Sequence, residues 1–469
     1  MIIAPSLGNK LNGRSVNMSF GIWSCVPIIV LIIGALTTKR MVETLIVSSL
    51  IGTVIIYHQH FFTGFVGLIY DVLSDDTYQF ALILIMSVGA MMKLFERSGA
   101  LHSFRKKLSK YAYTRKRSLL ITWLLSIILF IDDYLILLTV SMSMKKLTDK
   151  TRVPREHLAY TLNAMSVSVC LIIPFTSWSV FAITNMKKLG LDLGDYLHAI
   201  PYMFFSLASV LISLLLILGV IPKLGQMKKA YKRVDSGGSL VPVEEQNGAS
   251  IVSVEEADGN DAAEMNGSLI DFIIPMACLL IVMMLCGRNI IYGIVAALFC
   301  MLVLYKIRGI MTVGEFFACF YDGMREMSTI AFVVLFAYMI AHENDLMGFA
   351  PYIVTNCVKI ITPRLLPLFI FMIMSLVAFT IGDVWALILI AMPIFIPMAQ
   401  KTGLNPSIAV GALLSGANFG ATMCLQSDAL FMTYAGTGVP NVTQIKAALP
   451  YVAMAVLISC AGYLIVGLT

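Results

Sequence analysis

What most constrains this chain is the length of its uninterrupted apolar runs. They lie at about 19–37, 41–57, 78–95, 156–186, 198–221, 268–286, 290–305, 328–342, 405–435 and 447–467. Many are long enough to cross a hydrocarbon core of ~30 Å as helices. The runs are continuous rather than alternating, which argues against a membrane barrel. Of 469 residues, 59% are hydrophobic and 13% are charged, where a soluble domain carries roughly a quarter charged. The expected fold is an all-α polytopic membrane protein with about 10 full crossings.

The basic residues cluster between the runs, as FRKKLSKYAYTRKR (104–117), KKLTDKTRVPR (145–155) and KLGQMKKAYKR (223–233). Positive cytoplasmic loops explain this better than a nucleic-acid surface. The nine Cys include no CxxC pair, so they read as small apolar fillers rather than a disulfide or metal framework. Residues 1–18 form a polar N-terminal tail, and the hydrophobic run after it is expected to be retained.

Two regions do not fit simple crossings. In 118–144 the sequence LFIDDY puts Asp132 and Asp133 between two apolar arms. Each arm is shorter than the ~20 residues of a crossing helix, and both flanks are basic. The segment is therefore expected to enter and leave by one face, as a re-entrant helical hairpin with the acids at its tip. The region 366–399, centred on FTIGDVW with Asp383, has the same form.

Shifting the chain by 250 residues superimposes the hydropathy pattern on itself, and Asp133 then falls on Asp383. The first repeat spans 19–222, with hairpin 118–144 and an interrupted helix at 156–186. The second spans 268–469, with hairpin 366–399 and an interrupted helix at 405–435. Between them, 223–267 is rich in Gly, Ser and acids and is expected to be a disordered cytoplasmic linker. Counting from the basic loops, the halves have opposite topology. Inverted repeats with broken helices are a layout of secondary transporters.

Each hairpin is followed by a helix break. The first is IIPFTSWSV, with Pro174, Thr176, Ser177 and Trp178; the second is MCLQSDALF, with Gln426, Ser427 and Asp428. Broken backbone at membrane depth is tolerated where it is buried in protein or lines a watery cavity. Its carbonyls, hydroxyls and carboxylates are hard oxygen donors suited to Na⁺. A mid-membrane carboxylate costs about 2.5–3.5 kcal/mol, so adjacent acids need a cation or a proton. Exchange of Na⁺ for H⁺ at one carboxylate cluster is the simplest coupling.

FIDDY, then TDKTRVPREHLAY, then PFTSW closely resembles the NhaC-type Na⁺/H⁺ antiporters of the ion transporter superfamily. FTIGDVW and NFGATMCLQSDAL resemble that family's corresponding second-half stretches, with two departures. An acid and a His of the family pattern are absent from Gly420–Leu425, and Asp383 is an added acid. The resemblance implies a cation and proton-coupling site at Asp132, Asp133, Thr176 and Ser177. It implies a second at Asp383, Ser427 and Asp428, with Na⁺ held by Asp132, Asp133, Ser177, Asp383 and Asp428. It implies a bacterial inner-membrane location, a homodimer, and the lipid bilayer, Na⁺ and H⁺ as partners. Neither a cofactor nor nucleic acid is expected. Asn163, Trp178, Trp385, Asn418 and Gln426 are candidate substrate or gate residues. The rewired second site keeps a Na⁺-coupled carrier of an amino acid or small organic acid as the alternative.

Plainer roles stand beside these. Asp132, Asp133 and Asp383 can be helix caps. Thr176 and Ser177 can back-bond to their helix. Asn163 and Asn418 can be interhelical glue, and Trp178 and Trp385 interface anchors. Segments 61–73 and 311–327 look like interfacial helices, and His342, Glu343 and Asp345 look like an exposed mouth. An enzyme is not expected: HExxH and GxSxG are absent and no His falls in the sites. A channel is the remaining class.

Overall fold

The computed structural model describes residues 20–38, 41–100, 103, 107, 110–130, 132–241, 268–286, 290–349, 352, 363–382 and 384–468. Every regular element among them is helical. Four helices, Glu43–Leu73, Tyr78–Arg97, Ile290–Ile307 and Asn441–Leu468, are long and apolar enough to cross a bilayer. Four bent pairs would add four more crossings if each pair is one span. Val26–Thr38 and Ile270–Leu285 are apolar but shorter. The chain is a multi-pass membrane protein.

Two of the bent pairs build the centre. Arg155–Ile172 and Ser177–Lys187 meet at 42°, and Pro406–Met423 and Asp428–Thr437 meet at 43°. Both first halves end on an extended residue, Ile173 with ψ 122° and Cys424 with ψ 127°. In the first, Pro174 cannot donate to the helix ladder. The second break holds no proline. Its preceding helix instead uses glycines for close approach: Gly416 faces the Phe371 carbonyl and Gly420 faces Ala378.

Each broken helix follows a pair of shorter helices. The first pair is Arg115–Ile128 and the run from Asp133 to Lys150, which includes a π-helical stretch, Ile136–Val140. The second pair is Leu366–Ile381 and Val384–Lys401. Around this centre lie Glu43–Leu73, Asp76–Arg97 and Val313–Leu346, the last bent by 44°. Phe61–Leu73 was expected as a separate interfacial helix. It follows Met41–Tyr57 through the short 3-10 turn His58–His60, entered by left-handed His58 (φ 49°), and Glu43–Leu73 together is apolar enough for one long span.

The segment expected as a disordered linker begins with a helix, Gly225–Asp235. Met227, Ala230, Tyr231 and Val234 recur at helical spacing and are buried, a pattern that the Gly/Ser-rich residues after it obscure. Residues 242–267 of that linker lie outside the described residues. The helix is fixed by Arg233, which donates to both Glu156 oxygens at 2.8 and 3.0 Å. Tyr231 Oη pairs with His157 Nδ1 at 2.7 Å, and Tyr451 Oη accepts from Leu224 N at 2.9 Å.

Glu156 is fully buried, so Arg233→Ala removes an ion-pair partner from a buried charge; breaking one partner of such a pair costs about 3–5 kcal/mol. Thermal unfolding in detergent should lose stability on that scale, and a midpoint equal to wild type would reject the tie. Gly420→Ala would set a Cβ 2.1 Å from Ala378 Cβ. Overpacking of that kind costs about 1–3 kcal/mol, readable in the same assay.

Candidate functional site

The site forms where the tip of the first hairpin meets both helix breaks. Asp132 and Asp133 are 4% and 2% exposed. Asp132 caps its own helix, accepting from Tyr134 N at 3.0 Å. That satisfies the plain role of a cap with one acid and leaves the second unexplained. Asp133 Oδ1 has no hydrogen-bond partner. Asp428 opens the helix after the second break and accepts from Ala429 N at 2.8 Å. Its Oδ2 accepts a hydrogen bond from Tyr134 Oη. Tyr134 thus joins the hairpin of the first half to the broken helix of the second. Asp428 lies near enough to act electrostatically on both hairpin acids.

The breaks themselves are largely self-satisfied. Thr176 Oγ1 donates to the Cys170 carbonyl and accepts from Ser179 N at 3.1 Å. Ser427 Oγ donates to the Ala421 carbonyl at 2.7 Å. Each hydroxyl reaches back six residues to a carbonyl freed by its break. Both are fully buried, and both are committed to backbone in this arrangement. Ser177 Oγ interacts with Asp132 electrostatically but completes no hydrogen bond within normal limits. Trp178 Nε1 stands in the same relation to Asp133.

Gln426 ties the second break to the second hairpin. Its Nε2 donates to the Thr380 carbonyl at 2.8 Å and also to the Ile381 carbonyl, while its Oε1 is unpartnered. Gly382 makes this possible: its φ is +80°, and a Cβ there would lie 2.6 Å from Gln426 Cγ. Asp383 lies outside the described residues. In the first half, Cys170 Sγ reaches the Phe130 carbonyl at 3.2 Å, so a residue read as filler touches the backbone of the hairpin tip.

Asp133, Trp178, Tyr338, Trp385, Gln426 and Asp428 line a cavity of about 20 Å³. That is room for roughly one water-sized occupant. Trp178 and Trp385 pack with ring centroids 4.3 Å apart, one from each half, so they close the cavity against one another. Ion pairs of Asp132, Asp133 or Asp428 with Lys or Arg are absent among the described residues. Among the described residues the lining offers carboxylate and amide oxygens and no basic side chain. It can neutralise a small cation or bind protons, and among the described residues it brings no positive charge to hold an anion.

Two candidates sit elsewhere. Asn163 Nδ2 donates to Gln444 Oε1 at 2.8 Å, and its Oδ1 accepts from Thr433. It lines a second, smaller cavity with Tyr160 and Tyr451. Asn418 Nδ2 donates to Ser168 at 2.9 Å and Ser206 at 2.8 Å. Both asparagines tie helices together. Tyr134 and Tyr338 were missed from sequence. Tyr134 was legible, being the last residue of FIDDY; Tyr338 sits in an ordinary apolar run.

Residues 261–468 match the profile of the Na⁺/H⁺ antiporter family. An uncharacterized protein of Haemophilus influenzae is 22% identical over 503 aligned residues, covering 97% of this chain and 92% of that protein. The family match supports a cation/proton antiporter, a transporter rather than an enzyme.

Tyr134→Phe removes a donor from a buried carboxylate. Hydrogen bonds to charged groups contribute about 1.5–3 kcal/mol. The variant should melt earlier in detergent by that margin, and the added substitution Asp428→Asn should cost less than it does alone. Simple additivity of the two changes would mean that the pair is not formed in the protein.

Proposed function

We propose that this chain is a sodium-coupled secondary transporter that exchanges Na⁺ for H⁺ by alternating access. The observation that carries this is the meeting of Asp133 and Asp428 at one small cavity, with buried Asp132 next to Asp133 in the chain. They come from both halves of the chain, lie at membrane depth and have no basic partner among the described residues. Such carboxylates are stable only with a cation or a proton. Cation and proton then compete for the same oxygens, which is the coupling. Na⁺ is the cargo, held by Asp132, Asp133, Ser177 and Asp428, with Asp383 as a further ligand from the second hairpin. Thr176 and Ser427 shape the breaks, and Gln426 positions the second hairpin beside the cavity.

The architecture in this reading is two inverted repeats, 19–222 and 268–469, preceded by the tail 1–18 and joined through 223–267 on the cytoplasmic side. Several observations support it. The two helix breaks fall at 173–176 and 424–427 with bends of 42° and 43°. Ser168 and Asn418, 250 positions apart, are hydrogen-bonded to each other. The first arms of the hairpins, 14 and 16 residues long, are too short to cross alone, so both hairpins are read as re-entrant. The place of action is a bacterial inner membrane, and a homodimer is part of the proposal.

The alternative cargo, an amino acid or small organic acid, has one observation in its favour. The Trp178 and Trp385 faces would suit an organic ammonium group. The size of the cavity and the lack of a basic side chain for a carboxylate weigh against it.

In proteoliposomes, an imposed Na⁺ gradient should drive a pH change in the lumen. Asp133→Asn and Asp428→Asn should each lower it at least about 100-fold, equivalent to ~2.7 kcal/mol. Uptake of labelled amino or organic acids under the same gradient, with no pH change, would replace Na⁺/H⁺ exchange by the alternative.

A further inference from the structure

Glu343 was expected at an exposed mouth. It is instead 0% exposed, on the last turns of Val313–Leu346. Its Oε1 accepts from Ser49 Oγ at 2.9 Å and lies 2.9 Å from Thr53 Oγ1, whose one hydrogen also faces the Ser49 carbonyl at 2.8 Å. These hydroxyls stand four residues apart, one turn of the Met41–Tyr57 helix, and so present together. Between them Gly52 makes room: a Cβ there would lie 2.1 Å from Glu343 Oε2. Oε2 itself has no hydrogen-bond partner, and neither polar atom of the neighbouring, fully buried Asn344 has one.

The surroundings hold no compensating cation among the described residues. Tyr57, on the same helix as Ser49, interacts with Glu343 and with Asp71 of Phe61–Leu73. Glu43 opens the Met41–Tyr57 helix, and His342 and Asp345 flank Glu343 in sequence. Asp76–Arg97 packs antiparallel to this helix: Tyr78 meets Tyr338, while Lys93 pairs with Glu326. Its bases therefore lie at the far end, roughly 25 Å along the helix from Glu343 at 1.5 Å per residue, and Asp75 and Asp76 lie at the near end. Asp428–Thr437, which also touches Val313–Leu346, contributes Asp428 at the cavity.

An ionised carboxylate buried with two neutral donors and no counter-charge is strongly disfavoured. Sodium would need several further oxygen ligands, whereas one face of this carboxylate is closed by the Gly52 backbone. A proton needs no added volume. We propose that Glu343 is a proton-binding site, separate from the Asp133–Asp428 cavity, held by Ser49, Thr53 and the gap left by Gly52. Ala337, Tyr338 and Ala341 of the same helix line the cation cavity, so one rigid element touches both sites. A role for this proton in transport rests on the exchange proposed above; its presence does not.

Infrared difference spectra of the detergent-purified full chain, taken between acid and alkaline pH, test the site without transport. The protonated carboxyl band lost on alkalinisation should shrink in Glu343→Gln and shift in the double variant Ser49→Ala/Thr53→Val, which keeps the acid. Spectra of both variants identical to wild type would overturn the proposal. Should Glu343→Gln not fold, the double variant with its shifted band decides alone. In proteoliposomes, Glu343→Gln should move at least twofold fewer protons per Na⁺ while Na⁺-dependent quenching of tryptophan fluorescence persists. An unchanged proton count would confine Glu343 to a static proton and overturn its part in coupling. Wild type that shows the band but never responds to Na⁺ would leave the proton site standing and remove the exchange reading instead.

Discussion

A helix interrupted inside a membrane frees backbone carbonyls that lipid cannot satisfy, and the centre of this protein is organised by where those carbonyls go. The Cys170 carbonyl is taken by Thr176 and the Ala421 carbonyl by Ser427. The Leu425 carbonyl accepts from Asn441 Nδ2 at 2.9 Å. Gln426 serves the end of Leu366–Ile381, and Cys170 serves the first hairpin tip. Among the side-chain oxygens that stay without a hydrogen-bond partner, Asp133 Oδ1, Ser177 Oγ and Gln426 Oε1 belong to the hairpin tip and the two breaks. Asp133 Oδ1 and Gln426 Oε1 both stand in the lining of the same cavity.

The same economy of polar groups separates two kinds of buried acid. Glu156 and Asp271 are fully buried but paired, with Arg233 and Arg308. They fasten helix ends and have no free chemistry to offer. Asp132, Asp133, Asp428 and Glu343 have no such ion pair among the described residues. Which side chains reach each acid explains the difference. Glu156 and Asp271 lie within reach of an arginine, whereas Glu343 meets the hydroxyls of Ser49 and Thr53 and Asp428 that of Tyr134.

Much of the fold was legible in the sequence because membrane depth admits so few backbone choices. Hydropathy located the helices, Pro174 located the first break, and the 250-residue shift led to the second, where a proline is absent. The acids at the cavity were legible for the same reason, since charge inside an apolar run has few uses. What escaped notice depended on which helix faces which. For Thr176 the sequence leaves ligand and back-bonding roles open, and the fold shows its hydroxyl and that of Ser427 turned back onto their own backbone. Glu343 looked like a loop acid because its run ends there; Ser49 and Thr53 lie almost 300 positions earlier. The helix Gly225–Asp235 carried a readable amphipathic pattern, but composition averaged over 223–267 hid it.

The close approaches at Gly416, Gly420 and Gly436 bear on how such a molecule can deform. Gly420 meets the Ala378 backbone, and Gly436 meets Ser141, each with less clearance than a methyl group needs. Helices locked at that spacing cannot slide past one another without lifting apart, so the hairpins and the broken helices behave as one block. The residues that Val313–Leu346 turns to the cavity are two alanines and a tyrosine. That smoother seam, rather than the crowded centre, is where displacement of the block costs least.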